Sequence, residues 1–268
     1  MWKNIEYYTP LLNDFCRQVQ PIARTSNYPH GLYIPHPVDE DAYWSAKSKC
    51  FYIGRDTYTW CDFVYMFEYF EDGDIGGYIA EQNNTWPGNP QTLIEGWGNK
   101  RTFWPMILKL HIYLATGRLV RNVWDFTEED KTLLRQIGWG NINAVEVQKS
   151  LEKETDKETG KNYWDLCNQK QYWEIVSRSQ PLNKFKHILD LYAPDKVFIF
   201  CWDFNENSYF EGLDFASVEF ADRILEYSFK GYRTKAYCTY HPNAFSFRQM
   251  DFYDVLLKLG NRALEASK

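Results

Sequence analysis

Apolar positions along this chain follow two rhythms, one helical and one of short unbroken runs. From Asn4 to Gln20, Ile5, Tyr8, Leu11, Leu12, Phe15 and Val19 fall on one face, which predicts an amphipathic helix. Residues 21–48 are proline-rich and irregular. Lys49-Cys50-Phe51-Tyr52-Ile53-Gly54 reads as a buried strand ending at a glycine, and Phe63 to Phe70 reads as a helix. Residues 73–98 hold six of the 15 glycines, which predicts a long irregular loop of the kind that carries function. Arg101 to Thr116 is helical and stops at Gly117. Thr127 and Asp130 have capping-box spacing and open a helix running to Gln136.

The second half repeats these signals. Ile137 to Ala144 suits a short strand, and the mixed charges of Leu151 to Lys161 suit a solvated turn. Leu182 to Tyr192 is helical, and Lys196 to Trp202 is the clearest buried strand. Phe215 to Phe229 reads as a helix, Thr234 to Thr239 as a strand and Gln249 to Ala266 as a closing helix. Strands separated by helices imply right-handed crossovers and an α/β fold. The expectation is a three-layer α/β/α sandwich around a central, mainly parallel four-stranded sheet. A single domain over residues 1–268 is expected, with 1–48 as an N-terminal helical extension.

Composition narrows the class. Hydrophobic residues make up 44% and charged residues 25%, which excludes bulk disorder. Aromatic residues reach 18%, enough to furnish both a core and stacking platforms for flat ligands. The apolar run Met106–Ala115 is broken by Lys109 and His111, so no membrane span is expected. The six cysteines are scattered without a CxxC pair, and no signal-peptide core opens the chain. Reduced thiols in the cytoplasm, and neither a zinc nor an iron–sulfur site, are therefore expected. The acidic group Glu68, Glu71, Asp72 and Asp74 fits no metal-binding spacing and reads as solvated surface.

Net charge is −6, which counts against a general nucleic-acid binder. It is unevenly spread. Tyr227 to Met250 contains Lys230, Arg233, Lys235 and Arg248 with no acidic residue. A locally basic groove holds phosphates even in an acidic protein.

Ligands of parallel sheets bind outside the carboxyl ends of the strands. Gly54-Arg55-Asp56-Thr57-Tyr58 follows the first strand, Asn141 and Asn143 end the second, and Tyr240-His241-Pro242 follows the last. An acid, two amides and a histidine thus fall at three strand ends, although Asp56 and Asn141 also suit helix caps.

These residues resemble the uracil-DNA glycosylase superfamily. Of its first motif, Gly-Gln-Asp-Pro-Tyr-His, the chain keeps Gly54, Asp56 and Tyr58 and departs at Arg55, Thr57 and Thr59. Of its last motif, His-Pro-Ser-Pro-Leu-Ser, it keeps His241, Pro242 and Ser246. Phe245 replaces the leucine, and Asn243 and Ala244 depart. The resemblance spans residues 49–248 and implies a monofunctional DNA glycosylase that needs no cofactor. It implies that Asp56 orients water and stabilises the sugar cation, and that His241 donates to the base carbonyl. Asn141 or Asn143 would read the base, with Tyr58 and Arg55 in the substrate pocket. Phe245 would wedge into the duplex, and Arg248, Lys235 and Ser246 would contact DNA.

The departures at 57 and 243 count against strict uracil recognition. The 73–98 loop, carrying Trp86 and Trp97, points to a bulky modified pyrimidine, and the resemblance extends to relatives that act in antiphage defence on the glucosylated hydroxymethylcytosine of phage DNA. DNA is the expected partner and a monomer the expected state. Two other classes fit the residues: a hydrolase of free nucleosides or nucleotides, and a catalytically silent nucleic-acid-binding protein of the same fold.

Overall fold

The computed structural model describes residues 2–23, 31–56, 63–85, 90–97, 102–221 and 223–266. The fold is mixed α/β, with a seven-stranded mixed sheet and many helices. By compactness the chain forms two units, each assembled from separated segments.

One unit gathers residues 1–35, 55–84 and 141–184. Its longest helix, Lys3–Ala23, buries Tyr8, Leu12, Phe15 and Val19, the face that the sequence pattern marks. That helix packs on Phe63–Glu71 and on Gln169–Ser179. Asn4 and Asn83 exchange amide hydrogen bonds of 3.2 and 2.8 Å in the interior, so neither buried amide is left unpaired.

Residues 36–54, 85–140 and 185–268 make the other unit, which carries the sheet. Its strands are β1 His36–Pro37, β2 Cys50–Gly54, β3 Ile137–Asn141, β4 Lys196–Phe200, β5 Phe215–Ala221, β6 Ile224–Phe229 and β7 Lys235–Thr239. They lie in the order β1-β3-β2-β4-β7-β6-β5. β4 runs parallel to β2 and to β7, with Ile53 opposite Ile199 and Ile199 opposite Cys238. The carboxyl ends of these three strands therefore share one edge. β2 and β4 are buried at every position, as expected of strands covered on both faces.

Helix Phe103–Thr116 is buried from Phe103 through Ile112 and ends at Gly117, whose φ of 74° is the left-handed conformation of a C-cap. It packs on Phe252–Glu265. A Cβ at Gly260 would lie 2.4 Å from the Tyr113 ring, so that close approach depends on glycine. The capping box at Thr127 and Asp130 forms as the spacing predicts.

Three expectations change. The segment Phe215–Phe229 is not a helix but the hairpin β5–β6, paired antiparallel to β7. Its Phe, Val, Tyr and Ile residues suit a pleated surface, and cross-strand packing overrides the helical spacing. With this hairpin and β1, the sheet has seven strands rather than four. Residues 73–98 are not one irregular loop, because they contain helices Ile75–Thr85 and Pro90–Trp97. Their paired glycines Gly76 and Gly77 lower helix propensity, yet Ile75, Tyr78 and Ile79 bury one face.

Candidate functional site

The most constrained polar cluster is centred on Asp56, two residues beyond the end of β2. Its side chain is only 12% exposed. The Asn143 amide donates to one carboxylate oxygen at 2.8 Å, and the Ser150 hydroxyl donates to the other at 3.2 Å. Arg55 Nε lies 3.7 Å from that second oxygen. The Asn143 backbone N–H donates to the Arg55 carbonyl at 2.9 Å, which ties the two loop segments together. Ser150 sits on the short helix Gln148–Leu151 and is itself buried.

Burial pushes the Asp56 carboxyl above the ordinary value. Asn143, Arg55, Ser150 and Lys153 oppose that push, and burial prevails. A carboxyl poised in this way can accept a proton from water more readily than a surface aspartate can. Tyr172 belongs to the same surroundings. Burial raises its hydroxyl pKa, and the charge of Asp56 adds to the rise.

The two asparagines read from the sequence separate in role. Asn143 is committed to Asp56. Asn141, at the end of β3, is 3% exposed, and its side-chain Nδ2 has no acceptor among the described residues. Its backbone carbonyl accepts from the Asn183 amide at 2.9 Å. Tyr58 and Trp86 lie outside the described residues, as does the side chain of Trp97.

The His241 segment belongs to the other unit, just past β7. The His241 Nδ1 accepts the Asn243 backbone N–H at 3.2 Å, which leaves any proton of a neutral ring on Nε2. The ring stacks on Phe103 at 5.9 Å with an interplanar angle of 11°. Pro242 opens a single 3-10 turn, Pro242–Ala244. Further along, the Arg248 guanidinium lies 4.8 Å over the Tyr240 ring, and Tyr240 stacks on Trp202 at 4.9 Å. Ser246 is exposed beside them.

Two expected DNA contacts are not where the sequence put them. Phe245 is 3% exposed and packs near Phe252, so it is a core residue rather than a wedge. Phe247 is the exposed aromatic of this loop, at 87%. Counting from the motif cannot separate the two, because one tight turn decides which ring faces inward. Lys235 opens β7, so it lies at the amino end of that strand, opposite the end that leads to His241. There it pairs with Glu226 at 3.4 Å.

Ser150, Asn183, Tyr172 and the Trp202–Tyr240 stack escaped sequence reading. They lie outside the short motifs, and nothing in their local spacing marks them. The acidic group Glu68, Glu71, Asp72 and Asp74 is exposed. Among the described residues, no group of three or more His, Cys, Asp or Glu side chains is placed to hold a metal ion. No helix among them is long and apolar enough to cross a membrane. Comparison with protein-family models, with curated proteins and with solved structures finds no match.

Proposed function

We propose that this chain is a monofunctional DNA glycosylase of the uracil-DNA glycosylase type, acting on a flipped-out pyrimidine. The observation that carries the reading is the Asp56 carboxylate, buried yet held by two neutral donors just past a parallel strand. Hydrolysis of an N-glycosidic bond places positive charge on the sugar and negative charge on the departing base. A fixed carboxylate stabilises the first and takes a proton from the attacking water. The water oxygen bonds to the anomeric carbon, and the base departs with the electron pair of the broken C–N bond.

The resemblance gives His241 the role of donor to the base carbonyl. Asn141, with an amide N–H uncommitted, suits base reading better than Asn143. Phe247 takes the wedge role first assigned to Phe245, since an exposed ring can enter an unstacked step. The three-layer sandwich, the monomeric state and a cytoplasmic setting belong to this same reading. The buried free cysteines Cys16, Cys50, Cys167, Cys201 and Cys238 accord with a reducing compartment.

The test is base release. The protein is incubated with single- and double-stranded DNA containing uracil, mismatched pyrimidines or glucosylated hydroxymethylcytosine, and abasic sites are detected by alkaline cleavage. Release is expected on at least one substrate, falling about 10²–10⁴-fold in Asp56→Asn and in His241→Ala. A folded wild-type protein that releases no base from any of these DNAs would overturn the reading. Release from free nucleotides alone, insensitive to salt, would favour the small-substrate hydrolase.

A further inference from the structure

Serine and threonine hydroxyls inside helices commonly bond back to a carbonyl of their own helix. Thr9, Ser45, Thr116, Thr132 and Ser179 do so, each donating to a carbonyl three or four residues back at 2.6, 2.9, 2.7, 3.0 and 2.9 Å. Ser150, on the short helix Gln148–Leu151, turns its hydroxyl out of the helix instead. It donates to Asp56 Oδ2 at 3.2 Å, across 94 positions of sequence. The backbone around it is fixed. The Ser150 N–H donates to the Val147 carbonyl at 2.8 Å, and the Ser150 carbonyl accepts the Lys153 N–H at 3.1 Å. Ser150 is also 4% exposed, so water does not compete freely for its hydroxyl.

Asp56 is thus gripped from two sides. Asn143 holds Oδ1 and Ser150 holds Oδ2, which sets the plane of the carboxylate. Both donors favour the charged form, against the burial that opposes it. The charged and titratable groups acting on the same carboxyl are Arg55 and Lys153, and Tyr172 lies in its field together with Glu146.

We infer that Ser150 is a positioning residue of the Asp56 site, whose hydroxyl fixes the carboxylate plane and holds the group in the charge state that can take a proton from water. The inference rests on the glycosylase reading for the identity of the reaction. In that reaction the carboxylate accepts one proton from the attacking water. The water oxygen bonds to the anomeric carbon, and the base leaves with the electron pair of the C–N bond. A carboxyl already protonated cannot act in this way. Removing the Ser150 donor withdraws support chiefly from the charged form, so the folded pKa of Asp56 rises further and the active fraction falls on the acid side.

The experiment pairs two readouts on the full chain. The Asp56 titration is followed by NMR of the carboxyl carbons of labelled aspartate, with Asp56→Asn identifying the signal. Base release is followed against pH on the DNA that is released best. In Ser150→Ala the midpoint of the Asp56 titration should move up by about one pH unit, and the acid limb of the release profile should move with it. The alkaline plateau should change less. Ser150→Thr, which keeps the hydroxyl, should return both midpoints to the wild-type position. A serine that serves packing alone would lower release equally at every pH and leave both midpoints in place, and that result would overturn the inference. If Ser150→Ala fails to fold, Ser150→Cys keeps the volume with a weaker donor and should show the same upward shift. An unmoved midpoint in that variant would overturn the inference equally.

The two readings fail separately. An upward shift of the Asp56 titration, with no base release from any DNA, would sink the glycosylase and keep the hold of Ser150 on the carboxylate. Base release with an unmoved midpoint would keep the glycosylase and discard the role of Ser150.

Discussion

Lys109 and His111 in one unit, and Asn141 and Asn183 in the other, are buried to the same degree, between 1% and 3% exposed. Their hydrogen-bonding states are opposite. The Lys109 ammonium donates to the Arg121 carbonyl at 2.6 Å and to the Tyr253 hydroxyl at 3.0 Å, and it lies over the Phe252 and Tyr253 rings. His111 uses both ring nitrogens, one with the Tyr52 hydroxyl at 3.0 Å and one with the Leu133 carbonyl at 3.1 Å. The asparagine pair leaves one donor and one acceptor unmatched. Polar groups that serve only the fold tend to be saturated, because an unpaired buried group costs about 1–3 kcal/mol. Burial alone therefore does not separate these two pairs, and hydrogen bonding does.

The largest expected effect tests the saturated side. Burial lowers the pKa of His111 to about 4, and that of His36 likewise to about 4. An imidazole with a folded-state pKa below its unfolded value of 6.5 stabilises the fold above that value. The contribution is lost as pH falls from 6.5 through 4. At pH 4 each histidine should have removed about 3 kcal/mol of stability. Urea unfolding at pH 7, 5.5 and 4 measures the loss. His111→Asn should be less stable than wild type at pH 7 and show a shallower decline, by about one proton. An unchanged slope would mean that His111 does not titrate with unfolding, and the contrast with the asparagine pair would lose its firmest member.

The next effect compares the two asparagines directly. Asn183→Ala deprives two buried carbonyls, those of Asn141 and Tyr33, of their donor and should cost about 2 kcal/mol. Asn141→Ala removes an amide nitrogen without an acceptor among the described residues and should fall within about 0.5 kcal/mol of wild type. Thermal unfolding separates the two. Equal losses would show that the Asn141 amide is paired in solution.

Part of this contrast could be read from the sequence and part could not. Helix Phe103–Thr116 and strand Lys196–Phe200 were legible because a largely apolar run admits few environments. Asp56, Asn141 and His241 were legible as strand-end residues. Pairing was not. Ser150 lies 94 positions from Asp56 and Asn183 lies 42 from Asn141, and no local periodicity relates such pairs. The hairpin Phe215–Phe229 was misread because its aromatic spacing suits either element, and β7 beside it decides. The sequence could not choose between Asn141 and Asn143, since the distinction lies in a 2.8 Å contact with Asp56.

A smaller effect concerns Asp56 itself, which lies between the two classes. It has donors, yet burial still raises its pKa. A carboxyl raised in the folded state contributes stability while protonated and loses it as pH rises through the folded value. Asp56→Asn should therefore stabilise the protein at pH 7–8, with the gap closing toward acid. The pH trend is opposite in sign to that of the histidines, so one set of unfolding curves reports both. Because the same variant should lose base release, gained stability with lost activity would mark Asp56 as a functional residue. Lower stability at every pH would mark it as structural.

The smallest effect asks whether pairing also sorts the surface cations. Lys235 is bonded to Glu226 at the amino end of β7, and Glu226 keeps Arg262 at 2.6 Å as a second partner. Lys235→Ala should change stability by no more than about 1 kcal/mol, because the half-buried Glu226 keeps Arg262 as a partner. It should leave DNA affinity and its salt dependence unaltered. Arg248 lies against Tyr240 and has no carboxylate partner among the described residues. Its positive charge is therefore available to a phosphate. Arg248→Ala should weaken duplex binding uniformly across sequences and lower the slope of log affinity against log salt by about one. Fluorescence anisotropy with a labelled duplex at several salt concentrations measures both variants. Loss of slope in Lys235→Ala, with none in Arg248→Ala, would place the phosphates at the amino end of β7. Saturation by a neighbouring carboxylate would then cease to mark a cation as structural.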